Sequence, residues 1–351
     1  MEKIIKQAVG IDCGKQELVA SIGFLDRSLQ TSIKATHTFS NDKPGGKALI
    51  DWVKKYADPK APLQLVIEPT GVYHERFCYY VTSLGYSISI VLPNRAASFL
   101  KTLKVKTIND RISASGLAIM GLEKKLDNWI PPKVVMKQLK QLCREREELT
   151  EDITSIKNQL HALTSSAVYA ETSVQRLQQR LAFSQAQLKE IEQELKDVAT
   201  ADADLKQRFD NVCTIKGIGL ITAITVVAET DGFSLIRNQR QLVSYAGLDV
   251  IKKQSGTSVN SAARISHRGN RHIRRALHFP SLAAMRFDEN MQSFYGRLLS
   301  RHNIKMKAAV AVQRKLLVLI YTIWKKNEPY NPKYLEQSKK TALIELAQGR
   351  S

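Results

Sequence analysis

Apolar positions in the first third of the chain come in short runs separated by turn residues. Ala8 to Asp12, Leu18 to Phe24 and Ile33 to Phe39 predict strands, with a Gly14-Lys15 turn between the first two. Lys47 to Tyr56, entered through Pro44-Gly45-Gly46, predicts a helix. The unbroken runs Leu63 to Ile67 and Ile88 to Leu92 suit strands buried on both faces, and Tyr73 to Leu84 fits the helix between them. Three strands followed by strand–helix repeats predict a mixed sheet with helices on its faces.

The texture changes at Lys133. No glycine occurs from Glu123 to Lys216 and no proline between Pro132 and Pro280, so nothing intrinsic breaks a helix up to about Val212. One heptad row runs Leu142, Leu149, Ile156, Leu163, Ala170, Leu177, Ser184, Ile191, Val198, Leu205, Val212. The other runs Leu139, Arg146, Ile153, Leu160, Ala167, Val174, Leu181, Leu188, Leu195, Asp202, Phe209, and 19 of these 22 positions are apolar. That seam predicts coiled-coil helices forming an arm, which need partner helices to bury it. It thins to alanine at Ala167 and Ala170 within a polar stretch, where two antiparallel helices could turn back; a continuous helix would be roughly 120 Å long at 1.5 Å per residue.

From Cys213 the chain is compact and helical again. Gly217-Ile218-Gly219 leads into an apolar helix, Ile221 to Glu229, and is read equally as a phosphate-holding helix start or as a tight turn. His272 to Arg286 and Ile304 to Lys326 predict further helices. Three segments result, at 1–132, 133–212 and 213–351. The fold class is α/β plus α. The element order of the first segment is the one expected of a ribonuclease H-like domain, and other α/β arrangements also satisfy it.

Charge is distributed unevenly over these segments. They carry 18 basic and 12 acidic, 12 and 13, and 23 and 8 groups, so the last holds +15 of the net +20. Between Asp249 and Asp288 there is no acid, while Lys252, Lys253, Arg264, Arg268, Arg271, Arg274, Arg275 and Arg286 fall there. Such a field binds polyanions through counterion release, and nucleic acid is the commonest of them. The four cysteines, Cys13, Cys78, Cys143 and Cys213, are far apart and indicate neither a zinc site nor a disulfide framework. The first residues run straight into a strand, and the longest late apolar run, Leu316 to Trp324, is too short for a bilayer, so a cytoplasmic location is expected.

Three carboxylates stand where this pattern would bring them together. Asp12 ends the first strand, Glu68 ends the run Leu63 to Ile67, and Asp110 opens a helix at Asn109-Asp110-Arg111-Ile112-Ser113-Ala114. Acids at neighbouring strand ends can share a divalent cation. In a basic chain they suggest metal-dependent chemistry on phosphodiesters, with Mg²⁺ expected from ligand hardness and Mn²⁺ able to substitute. In the basic segment, Gln254-Ser255-Gly256-Thr257 places a serine among Lys252, Lys253 and Arg264, although Ser-Gly by itself is common turn chemistry.

These residues resemble the DEDD-type insertion-sequence transposases, the bridge-RNA-guided recombinases, along essentially the whole chain. The landmarks, in family order, are Gly10-Ile11-Asp12-Cys13-Gly14-Lys15, Glu68-Pro69-Thr70-Gly71-Val72-Tyr73, Asn109-Asp110-Arg111, Ile218-Gly219-Leu220, Tyr245-Ala246-Gly247-Leu248, Gln254-Ser255-Gly256, Arg268-Gly269-Asn270 and Arg274-Arg275-Ala276-Leu277. The resemblance implies a ribonuclease H-like, resolvase-like catalytic domain, a coiled-coil arm and a mostly helical C-terminal transposase domain. It implies that Ser255 attacks DNA to form a 5′-phosphoserine link, helped by Mg²⁺ on Asp12, Glu68 and Asp110. It also implies donor and target DNA, a non-coding bridge RNA, a homo-oligomer that is a tetramer built from dimers, and work at the bacterial nucleoid. Lys252, Lys253, Arg264, Arg268, Arg271, Arg274 and Arg275 are the candidate nucleic-acid contacts.

The chain departs from the family pattern at one place. A second acid is expected three residues after Asp110, where Ser113 stands. Three readings follow: the site works with three acids, Glu123 or Asp127 supplies the fourth, or this copy is impaired. The rival functions are a hydrolytic junction-resolving nuclease and a non-catalytic nucleic-acid binder.

Overall fold

Strands β1 (Lys6–Cys13), β2 (Glu17–Leu25) and β3 (Thr31–Ser40) form an antiparallel meander, followed by helix α1 (Lys43–Tyr56), strand β4 (Leu63–Glu68), α2 (Glu75–Ser83), β5 (Ile88–Ile90), α3 (Pro93–Thr102) and α4 (Asp110–Glu123). The computed structural model describes residues 4–103, 109–234, 236–252, 254–255, 259–260, 264–266 and 268–333, with only the backbone described at Asn94, Gln254, Ser255, Val259 and Asn260. It divides into two units, Met1–Pro131 and Pro132–Ser351.

The first unit is a five-stranded mixed sheet of order β3-β2-β1-β4-β5, with β4 and β5 parallel to β1. A mixed sheet is what the pattern of the first segment predicts. Both faces are covered because β1 and β4 are apolar on both sides. Ile11, Leu65 and Ile67 pack with Leu49, Ile50 and Phe77 on the α1/α2 side, while Val66 packs with Phe99, Leu117 and Met120 on the α3/α4 side. Helix α4 lies directly on β1. A Cβ on Gly10 would stand 2.1 Å from the Ala114 carbonyl oxygen and 2.2 Å from the Ala118 nitrogen, so the two backbones meet only because residue 10 has no side chain. That contact sets the first turn of α4 over the C-terminal end of β1.

The second unit opens with α5 (Val134–Thr164) and α6 (Glu171–Thr200). They turn back at residues 165–170, the polar stretch around Ala167 and Ala170, so each helix is roughly 46 Å long and no single rod forms. Their antiparallel pairing is marked by Arg146, whose guanidinium donates to Glu192 at 2.8 Å. The residues of both heptad rows are buried or half-buried, except Ala167 and Ala170 at the turn and Asp202, which caps the next helix. The base of the pair packs on α7 (Ala203–Cys213) and α8 (Leu220–Glu229), with Leu139, Leu195, Phe209 and Ile224 in one core.

Gly217 has φ +93°, and a Cβ there would meet the Pro280 carbonyl oxygen at 2.7 Å, which accounts for the Gly217 turn by packing. After α9 (Gln239–Tyr245) come the short strands β6 (Val250–Ile251), β7 (Gln254–Ser255), β8 (Val259–Asn260) and β9 (Arg264–Ile265). Helices α10 (Arg271–Ala276), α11 (His278–Phe287), α12 (Glu289–His302) and α13 (Lys305–Lys326) complete the unit. The sequence predicts one helix over His272 to Arg286; two are found, broken at Leu277. Pro280 lacks the N–H that would bond the Ala276 carbonyl, and its ring crowds that oxygen.

Candidate active site

Asp12 and Glu68 are register partners at the ends of the adjacent parallel strands β1 and β4. Both are half-buried, and both carboxyls are held above the ordinary range. Loss of solvent is the larger cause in each case. The charge of Asp110 adds to it at Asp12, and the charge of Asp12 adds to it at Glu68. Asp12 is thus coupled to each of the other two acids. Among the described residues no cation pairs with any of them.

Asp110 is placed by α4. Asn109 caps that helix, its side-chain oxygen accepting from the Ile112 N–H at 3.0 Å, and Asp110 follows as an exposed acid in the first turn. One turn on, Ser113 is 8% exposed, and its hydroxyl faces Asp12 and offsets part of the upward shift there. The position of the absent fourth acid thus holds a neutral hydroxyl. Glu123 and Asp127 do not replace it. Glu123 ends α4, roughly 20 Å along the helix from Asp110. Neighbouring Leu122 and Lys124 accept from the Lys6 ammonium, and Asn128 receives the side chain of Gln64, so this end of the helix lies at the starts of β1 and β4, opposite the acids.

A further residue joins the two loops that leave the acid-bearing strands. The Asn41 side-chain amide donates to the Gly14 carbonyl at 2.8 Å and to the Tyr73 carbonyl at 3.1 Å. Gly14 follows Asp12 by two residues and Tyr73 follows Glu68 by five, so one carboxamide ties both loops together. Sequence reasoning missed it; the only local signal is Asn41-Asp42 before Pro44-Gly45-Gly46, which reads as a helix start.

The acids do not form a ready-made cage: among the described residues no group of three or more His, Cys, Asp or Glu side chains is gathered so as to hold a metal ion. The donor chemistry nonetheless fits a hard divalent cation. Mg²⁺ commonly binds through one or two carboxylates and completes its sphere with water and substrate phosphate. Asp12 and Glu68 supply such a pair, with no cation paired to either among the described residues and with Asp110 as a third charge that acts on Asp12.

Ser255 lies in the second unit. Val250 pairs with Ile265, Ile251 with Arg264, Gln254 with Asn260 and Ser255 with Val259, all antiparallel. The two ladders belong to one hairpin whose register is offset by a single residue, with Ser255 in the outer ladder. Its side chain and Lys253 lie outside the described residues. Lys252, Arg264, Arg268 and Arg271 are exposed. Arg274 and Arg275 are engaged within the unit: Arg274 donates to the Ala246 carbonyl at 2.9 Å, and Arg275 pairs with Glu147 at 2.8 Å and with Glu151. Among the described residues no helix is long and apolar enough to cross a membrane.

Residues 9–168 match a transposase family of the IS110 DEDD type, and residues 210–296 match the family described as Transposase IS116/IS110/IS902. The chain belongs to the IS110-type DEDD transposases. The first match contains Asp12, Glu68 and Asp110, and the second contains Ser255 and the basic cluster, so the transposase motifs fall in the two units separately. The chain is 25% identical over 301 residues to the pilin gene-inverting protein of Moraxella bovis, covering 85% of this chain and 91% of that one. It is 24% identical over 285 residues to the transposase for insertion sequence element IS1111A of Coxiella burnetii, covering 72% and 76%. Similar solved structures include Thermus thermophilus RuvC in complex with a Holliday junction substrate, at 8% identity and TM-score 0.28 over 35% of this transposase and 99% of that chain. Another is the fowlpox virus Holliday junction resolvase, at 14% identity and TM-score 0.27 over 33% and 97%.

Proposed function

We propose that this transposase cuts and rejoins DNA strands to move an insertion sequence, through a covalent 5′-phosphoserine link at Ser255 and under the guidance of a bound non-coding RNA. The observation that carries the reading is the register pairing of Asp12 with Glu68, inside the charge field of Asp110, in a chain whose two family matches bracket both the acids and the serine. A Mg²⁺ ion held by Asp12, Glu68 and Asp110 would supply charge neutralisation at phosphate oxygens, and Mn²⁺ could substitute. In the chemical step the Ser255 hydroxyl oxygen bonds to phosphorus and loses its proton. The bond from phosphorus to the 3′ oxygen breaks, and that oxygen leaves as a 3′ hydroxyl after taking up a proton. Rejoining reverses this with the 3′ hydroxyl of another strand, so bond energy is conserved. Ser113 and Asn41 hold the acid pair in place. Lys252, Lys253, Arg264, Arg268 and Arg271 contact phosphates without reading bases, which suits sequence choice by RNA pairing. The partners are donor DNA, target DNA and the RNA, and the working form is a homo-oligomer, a tetramer of paired dimers, located in the cytoplasm at the nucleoid.

One observation favours a second reading. The acids lie complete within the first unit, where water could serve as the attacking group, as in a hydrolytic nuclease. Purification after co-expression with the flanking DNA, followed by sequencing of the copurified RNA and a cleavage assay of Ser255→Ala, separates the two. One discrete RNA with no cutting by Ser255→Ala supports the guided recombinase. Heterogeneous RNA with continued cutting supports the nuclease.

A further inference from the structure

Glu229 ends an apolar helix, yet it is a buried carboxylate, 2% exposed, and the reaction described above makes no use of it. Its oxygens accept from the Arg144 guanidinium at 2.8 and 3.2 Å and from the Asn270 amide at 2.6 Å, with the Lys140 ammonium at 3.6 Å. These partners hold the carboxyl below the ordinary glutamate range although burial pushes it up. Burying a charge is costly unless it is well paired, and a bland helix end does not require one. The question is what the charge holds.

Its partners lie at the root of the hairpin that carries Ser255. The hairpin leaves through Gly247 and Leu248 and returns through Arg268 and Gly269. The two roots touch: a Cβ on Gly269 would stand 2.5 Å from both the Gly247 nitrogen and the Tyr245 carbonyl oxygen. Asn270 fastens the junction in three ways. Its N–H donates to the Tyr245 carbonyl at 2.8 Å, its side-chain oxygen accepts from Ile273 at the start of α10, and its amide donates to Glu229. The Tyr245 hydroxyl completes the ring by donating to the Glu229 carbonyl at 2.8 Å. Arg144 and Lys140 belong to α5, the first helix of the long pair, and three residues beyond Arg144 on the same helix Glu147 pairs with His272 and Arg275 of α10. The hairpin root is therefore bonded to α8 and to α5 through the buried Glu229 carboxylate.

We infer that Glu229 is a positioning residue: with Asn270 and Arg144 it fixes the root of the Ser255 hairpin against α5 and so sets where Ser255 is presented for strand transfer. This rests on Ser255 being the nucleophile, and the test separates the two ideas. Asn270→Ser keeps a cap for α10, since serine caps about as well as asparagine, but is too short to reach Glu229. Glu229→Gln keeps the shape and turns an amide toward donors that need an acceptor.

Each variant of the full chain is measured in two ways, below its own melting temperature. The first is the rate of strand cleavage on DNA carrying the ends of the element, with binding affinity measured alongside. The second uses Ser255→Cys in a Cys213→Ser background, where the other three native cysteines are buried, and records the rate at which a maleimide labels the introduced thiol in the free protein. The expected result is a loss of cleavage on the order of tenfold to a hundredfold at unchanged DNA affinity, the scale of a small misplacement of a reacting group. The labelling rate of the introduced thiol shifts severalfold in the same variants. Unchanged labelling together with unchanged cleavage in folded Asn270→Ser overturns the inference. If Ser255→Ala still cuts, the nucleophile reading fails, and the labelling rate still decides whether Glu229 sets the hairpin.

Discussion

Ser113, in the first turn of the helix that lies on β1, faces the Asp12 carboxylate and draws its pKa down. A neutral hydroxyl thus stands where the family pattern has an acid, and it eases the upward shift at Asp12 instead of adding to it. Ser113→Ala removes one hydrogen bond of about 1 kcal/mol, so strand cleavage should fall by less than about tenfold. Asp12→Ala and Glu68→Ala should lower it by at least about a thousandfold, as expected for groups that stabilise charge in the reaction. Single-turnover cleavage rates of the three variants check this; an equal loss in all three would make Ser113 as necessary as the acids.

The mutual repulsion of the acids has a cost to the fold. Asp12→Asn removes one charge from a half-buried pair of carboxylates that meets no cation among the described residues, while leaving an oxygen to face Ser113. Without divalent cation the variant should be more stable than the wild type by about 0.5–2 kcal/mol, and catalytically dead. Added Mg²⁺ should raise the melting temperature of the wild type and leave Asp12→Asn nearly unmoved. Thermal melts with EDTA and with Mg²⁺ give both readings.

Asn41 should behave as a clamp. Asn41→Ala frees the loops after β1 and β4, and Asn41→Asp replaces a donor by an acceptor facing two carbonyls. Both variants should need more Mg²⁺ for half-maximal cleavage than the wild type, with Asn41→Asp the worse. Titration of the cleavage rate against Mg²⁺ tests this, and an unchanged midpoint in both variants would remove Asn41 from the site.

Much of this arrangement was legible in the sequence, for a physical reason. Asp12 and Glu68 terminate apolar runs whose length and period mark buried strands, and Asn109-Asp110 is a helix start by its capping chemistry. Polar residues within 165–170 foreshadowed the turn between the two long helices, since a seam that thins to alanine buries too little to continue. Asn41 and Glu229 were not legible. The carbonyls that Asn41 bonds lie 27 and 32 residues away, and Glu229 meets Arg144 and Asn270 across 85 and 41 residues. No local pattern encodes such pairings. The break at Leu277 was missed because the apolar run continues through Pro280, whose effect falls on the residue four earlier.

Acid should weaken the second unit through Glu229. Its folded pKa lies below the ordinary glutamate value of about 4.3, so its stabilising contribution is complete above that value and is lost as pH falls through the depressed one. Glu229→Ala should cost about 2–4 kcal/mol at neutral pH, somewhat below the usual figure for breaking a buried pair because 46% of the Arg144 side chain is in water. In Glu229→Gln the acid limb of the stability curve should be flatter than in wild type. Denaturant melts from neutral pH down to about pH 3, below the reference glutamate value, measure that slope.

The central claim is that Ser255 becomes joined to DNA in a reaction that depends on Asp12 and Glu68. The most direct measurement is to quench a reaction with labelled element-end DNA, digest the protein and locate the nucleotide-bearing peptide by mass spectrometry. The account predicts a 5′-phosphate linked to Ser255, formed with Mg²⁺ by the wild type and absent in Asp12→Ala, Glu68→Ala and Ser255→Ala. Cleaved DNA with free 5′-phosphate ends, no adduct at any residue and full activity in Ser255→Ala would contradict it.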